Sequence, residues 1–132
     1  MKLRTSGLIL AAVAATTLPM ATSASAAGHV NPCAQLNGTP TSTAVGCFYP
    51  VGDTFKVQDQ EADGRYPIVV GYTSNGRQIS CANHKGEGKV ETCDYDLWEK
   101  ASVTFRLELR KKNSRTFKTD WYTVSVSTGR PV

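Results

Sequence analysis

Four cysteines, Cys33, Cys47, Cys81 and Cys93, constrain the fold of this chain most, because all of them follow a segment laid out for export. Lys2 and Arg4 form a basic start with no acid, and Gly7 to Leu18 is almost wholly apolar and uncharged. Pro19 then breaks any helix, and Ala24-Ser25-Ala26 puts small residues at the −3 and −1 positions that the narrow pocket of signal peptidase accepts. Residues 1–26 are therefore expected to be a secretory leader handled by the Sec pathway. Lys2 and Arg4 are not a twin-arginine pair, and no cysteine directly follows the apolar run to carry a lipid. That run is shorter than the ~20 residues a bilayer core demands, so no membrane anchor is expected after cleavage. An even number of cysteines in an oxidising compartment implies two disulfides. Three pairings are possible. Cys33–Cys47 and Cys81–Cys93 are favoured because each joins residues of one local segment. The spacings are much wider than those of zinc ligands, and no histidine stands in register with a cysteine pair, so no metal and no other cofactor is expected.

Cleavage after Ala26 leaves 106 of the 132 residues, enough for one domain. The formal charge of +4 falls to +2 once Lys2 and Arg4 leave with the leader. A mature domain so close to neutral is not expected to bind nucleic acid. Residues 27–46 are rich in Gly, Pro, Asn, Thr and Ala without a hydrophobic period, which predicts an extended, irregular segment tied down by Cys33. Residues 47–132 alternate short apolar runs with turn signals, the pattern of an all-β domain. In Thr54 to Gln58, Phe55 and Val57 face inward and Lys56 and Gln58 outward. Asn75-Gly76 predicts a two-residue type I′ hairpin turn that sets Tyr72 opposite Ile79 and Val70 opposite Cys81. Val103 to Arg110 places four apolar residues on one face and four polar residues on the other, which requires an antiparallel sheet with one wet side. Phe117 to Val126 reads as the last strand, with Tyr122, Val124 and Val126 inward. The predicted fold is a small antiparallel immunoglobulin-like β-sandwich with two disulfides, with a small closed barrel as the alternative.

Few residues carry chemistry. Asp59, Glu61 and Asp63-Gly64 resemble the opening of a calcium loop, but the position for the closing bidentate glutamate is Val70, inside a strand. The plainer reading is a solvated acidic turn. Lys85 to Gly88 lacks the spacing of a phosphate loop and reads as a flexible connection. His84 has no nucleophile context around it, and oxidised cysteines hold no thiolate, so no enzymatic activity is expected. Arg110, Lys111, Lys112, Arg115 and Lys118 flank Phe117, Trp121 and Tyr122, a mixture of cations and rings that could grip an anionic polymer; the plainer reading is a solvated hairpin turn whose lysines discourage strand addition. Trp121 has the strand parity opposite to Val124, which points it outward, and exposed Trp and Tyr are favoured at interface centres. Gly28, His29, Val30 and Asn31, ahead of Cys33, form a candidate docking strand.

Around Gly52-Asp53-Thr54-Phe55, Val57, Asp59 and Ala62-Asp63-Gly64, followed by Cys81 and Cys93, the chain resembles a group of small secreted four-cysteine actinobacterial β-sandwich proteins. The likeness spans roughly Cys47 to Val126. In size and layout such proteins are similar to the adaptor subunit of actinobacterial umbrella toxin particles, which links a lectin-like component to a repeat-bearing stalk through protein contacts. The resemblance implies a binding module whose partner is another secreted or cell-surface protein. It carries over no functional residue, because these motifs encode turns and strands. Two other functions fit the same composition. A protease inhibitor requires a taut exposed loop, expected at Ala34 to Val45, and a glycan or cell-wall binder requires exposed aromatics such as Trp121.

Overall fold

The computed structural model describes residues 28–39 and 42–132, and the expected leader, 1–26, lies outside them. Nine strands form two antiparallel sheets, with no helix among the described residues. The first sheet has the order β1 (Cys33–Thr39), β2 (Ser42–Tyr49), β3 (Thr54–Asp59), β6 (Val90–Asp94). The second has the order β5 (Gln78–Ala82), β4 (Tyr66–Thr73), β7 (Ser102–Arg110), β8 (Phe117–Lys118), and β9 (Tyr122–Ser125) also pairs with β7. Residues 27–46, expected to be irregular throughout, are so only at 28–32 among the described residues; from Cys33 on they form strands. β1 and most of β2 lie there, and the domain boundary expected at Cys47 falls inside β2. The reason is pairing: Ala34 and Ala44 turn inward and are fully buried, so the small side chains that hide any hydrophobic period still fill an inner face. The exposed inhibitory loop expected at Ala34 to Val45 is thus largely built into a sheet.

The two inner faces meet in one core. Phe55 of β3 is its hub, with ring centroids 4.9 Å from Phe48 of β2 and 5.4 Å from Phe105 of β7. All three rings are fully buried, and burial of each contributes about 1.5–3 kcal/mol relative to exposure. Val57, Val69, Val103, Leu107 and Val126 complete the interior. Asn83, also buried, donates to Val57 O at 2.9 Å and Lys89 O at 2.8 Å and accepts from Lys85 N at 2.9 Å. It thereby ties the end of β5 to β3 in the other sheet without an unmet polar group.

Both favoured disulfides are present, and they occupy different places. Cys33 and Cys47 are direct cross-strand partners on the outer side of the first sheet, since their neighbours Ala34 and Phe48 point inward. Cys81 of β5 and Cys93 of β6 face the interior and join the two sheets where their edge strands meet. Such crosslinks belong to an oxidising, extracellular environment.

Two register details depart from expectation. The β4–β5 connection has three residues, not two: Gly76 N donates to Thr73 O and Thr73 N to Arg77 O, each at 2.9 Å, with φ = 88° at Gly76 alone. The Thr73 hydroxyl accepts from Arg77 N and bonds the Asn75 side chain, which stabilises this longer loop. The extra residue moves the pairing by one. Gly71 faces Ile79 and Val69 faces Cys81, so Tyr72 lies on the outer face while Cys81 lies in the core. The last strand is also interrupted. Lys118 pairs with Glu108 and Tyr122 with Phe105, a slip of one residue at a bulge around Thr119 and Asp120. Thr119 fills the gap, donating N–H to Leu107 O at 2.9 Å and accepting Leu107 N–H on its hydroxyl at 3.1 Å.

Candidate functional site: the outer face of the second sheet

The bulge determines what this face presents. On an uninterrupted strand Lys118 and Trp121, three residues apart, point to opposite sides. The extra residue turns both outward, beside the polar residues of β7. Arg106, Glu108 and Arg110 alternate along β7 on this side. Glu108 Oε1 accepts from Arg106 Nε at 3.0 Å and Nη2 at 2.7 Å. Oε2 accepts from Arg110 Nε at 2.7 Å and from Arg110 Nη2. The two guanidiniums cover the carboxylate so well that Glu108 is only 4 % exposed although it points away from the core. Burial pushes its carboxyl up, and the hydrogen bonds and charges of Arg110 and Arg106 outweigh this and hold it below the usual carboxylate range. Its ionised form therefore stabilises the fold above about pH 4.5, and that contribution is lost as pH falls through its lowered native value.

Arg106 also lies over Trp121, its guanidinium carbon 4.3 Å from the ring centroid, and Tyr72 stands 6.0 Å from the same ring. Trp121 is 47 % exposed and Tyr72 48 %. The face thus combines two half-exposed rings with oriented arginines. At the hairpin tip beyond β7, Arg65 and Arg115 both lie over the Phe117 ring, at 4.6 and 5.6 Å, and Arg65 Nη1 donates to Arg115 O at 2.6 Å.

The residues expected to bind a partner are only partly brought together. Lys118 and Trp121 share the outer face and Arg115 lies at its tip, while Tyr122 turns inward and stacks on Phe105 at 5.9 Å, its edge still exposed. Gly28 to Asn31 run along the opposite end of the sandwich. Val30 N donates to Thr128 O at 2.8 Å, and Arg130 Nε and Nη2 donate to Gly28 O at 3.3 and 3.2 Å. The N-terminal segment is strapped to the C-terminal turn, with His29 and Asn31 exposed. Sequence reasoning missed Tyr72, because the hairpin register was one residue off. It also missed Arg106 and Glu108, whose signal was present as the alternating polar half of β7, while Arg110 was legible as part of the basic cluster.

The acidic segment lines a separate cleft of about 430 Å³ with Asn83, His84 and Glu87. Its carboxylates shape the turn: Asp59 Oδ1 accepts Glu61 N at 3.1 Å and Asp63 Oδ1 accepts Arg65 N at 2.9 Å. Among the described residues no three side chains of metal-ligating type converge. His84 stacks on Tyr66 at 4.2 Å. Burial pushes the Asp59 carboxyl up, the Glu61 amide draws it partly back, and the charges of Asp63, Glu87 and Glu61 push it further up. Ionised Asp59 therefore costs stability, a cost that appears as pH rises above about 3.8 and is complete above the raised native value. Asp59→Asn keeps an acceptor for Glu61 N and is expected to raise the melting temperature at neutral pH, with the gain vanishing below pH 3.8. A melting series from pH 3 to 8 checks it, and a gain independent of pH would contradict it.

Comparison with protein families, curated proteins and solved structures finds no match to this chain.

Proposed function

We propose that this chain is a secreted, non-enzymatic binding module, exported by the Sec pathway, that docks another secreted or cell-surface protein as an adaptor in an extracellular assembly. The docking surface is the outer face of the second sheet. The observation that carries this reading is Trp121, half exposed on a bulged strand and bracketed by Arg106 and Tyr72. Trp, Tyr and Arg are the residues that dominate interface energies when a partner desolvates them. Held by a sheet and by each other, these side chains lose little freedom on binding, which leaves more of the contact energy as affinity. The bulge adds to the case, because such irregularities re-aim side chains at functional edges.

Affinity purification of the tagged secreted protein from its producer's culture medium, beside Trp121→Ala, tests the reading. A stoichiometric protein retained by the native chain is expected, with retention reduced at least ~tenfold by Trp121→Ala, in line with a loss of about 2 kcal/mol at an interface centre. Absence of any retained protein, or equal retention by both, refutes the assignment of this face.

A further inference from the structure

We propose that the partner offers this face an acidic, extended segment whose carboxylates are taken by Arg106, Arg110 and Lys118. The inference rests on the docking reading above and supplies the chemistry of the partner.

Charge complementarity carries it. On the face itself the cations are Arg106, Arg110 and Lys118, and the acids are Glu108 and Asp120. Glu108 is buried beneath the two arginines and is already engaged by both, so it presents almost no negative surface. Arg65, Lys111 and Arg115 extend the positive field around the hairpin tip. The face itself thus carries three cations against two acids, a formal charge of +1, and Arg65, Lys111 and Arg115 add to it at the tip, where Asp63 is the nearby acid.

Glu108 also shows what these arginines are shaped to hold. Each grips one carboxylate oxygen through Nε and Nη2, which leaves the Nη1 donors of both guanidiniums. Side-chain exposure of 22 % for Arg106 and 39 % for Arg110 keeps them within a ligand's reach. A guanidinium already pinned in place loses less rotamer freedom when it takes a second carboxylate than a free one does. Glu108 is thus a positioning residue for the arginines.

Spacing selects an extended segment. Outward residues on one strand recur every second position, about 6.6–6.8 Å apart, and because Arg106 and Arg110 both lean in to the one carboxylate of Glu108, their guanidiniums lie about one such interval from each other rather than two. An extended partner presents alternate side chains at the same interval, and acids at every second position therefore meet the arginines in step. Tyr72 and Trp121 then receive the partner's apolar groups at one end of the run.

The test is titration of the secreted protein with a Glu-Thr repeat peptide of about ten residues, blocked at both ends, beside its Gln-Thr counterpart. Binding of the acidic peptide alone is expected, weakening severalfold between about 0.05 and 0.3 M salt as exposed charges are screened. The triple variant R106Q/E108Q/R110Q removes the charges without leaving Glu108 buried and unpaired, and it is expected to lower affinity at least ~tenfold. Exposed Lys118→Gln is expected to lower it about threefold and decides the matter if the triple variant does not fold. Equal binding of both peptides, no binding of the acidic peptide, or variants that bind like the native chain would overturn the proposal. So would binding of polygalacturonate without the acidic peptide, which assigns the face to an anionic glycan. A captured protein released by Trp121→Ala but indifferent to salt and to the arginine variants would leave docking intact and sink only the acidic partner.

Discussion

Replacing Gly71 by alanine is expected to cost about 4 kcal/mol or more, lowering the melting temperature by about 20 °C. Gly71 lies in β4 directly opposite Phe105 of β7, the two central strands of the second sheet. A Cβ placed there falls 2.2 Å from Thr104 O, 2.9 Å from Phe105 Cα and 3.0 Å from Phe105 Cβ. The first two are backbone atoms, so no rotamer change relieves the clash. The strands must separate, and the Phe105 ring that touches Phe55 must move with them. Gly76→Ala is the control. There φ is 88° but a Cβ meets nothing within 4 Å, so the expected cost is the ~1 kcal/mol of an alanine in the left-handed region. Urea denaturation of the secreted protein separates the two. A Gly71→Ala protein within 1 kcal/mol of the native chain would show that the strand contact is not as close as described.

Gly71 also shows where sequence reading stops. Alternation in Val103 to Arg110 and in Thr54 to Gln58 reports which face is wet, and from it the two-layer antiparallel class follows, because a one-sided strand demands a covered inner face. Cysteine spacing likewise led to the pairing found. Register is another matter. It turns on one hydroxyl: Thr73 accepts Arg77 N and lengthens the Asn75-Gly76 loop from two residues to three, which moves Tyr72 to the outside. A local propensity for type I′ turns gives no hint of that competition. β1 and β2 were hidden for a different reason. Alanines that pack between sheets look the same in a sequence as alanines in a loop, and only their partners distinguish them. The candidate face suffers from both effects. Its arginines were legible as polar alternation, but its rings come together through a loop length and a bulge, each a single-residue event.

Removing the Cys81–Cys93 crosslink is expected to destabilise the domain far more broadly than removing Cys33–Cys47, although simple chain statistics rank them equal. The two bridges close segments of 12 and 14 residues, for which loop-closure entropy gives about 3 kcal/mol each. Any larger difference must arise in the native state. Cys33–Cys47 joins neighbours that hydrogen-bond within one sheet anyway, on its outer side. Its loss leaves Phe48, Phe55 and the interior untouched. Cys81–Cys93 is the only disulfide between the sheets among the described residues, and Cys81 is fully buried. Replacing this pair with alanine removes buried sulfur from the core as well as the crosslink, which adds a cavity cost to the entropic one. Cys81→Ala/Cys93→Ala is accordingly expected to lose about 4–5 kcal/mol, and Cys33→Ala/Cys47→Ala about 2–3 kcal/mol. Hydrogen exchange distinguishes the mechanisms. Without Cys33–Cys47, accelerated exchange is expected only at β1 and its partners in β2. Without Cys81–Cys93, protection should fall in both sheets together, Leu107 and Val57 included, because their common interior opens as one unit. Equal losses with local exchange in both variants would mean that the shared apolar interior holds the sheets together without the help of the crosslink.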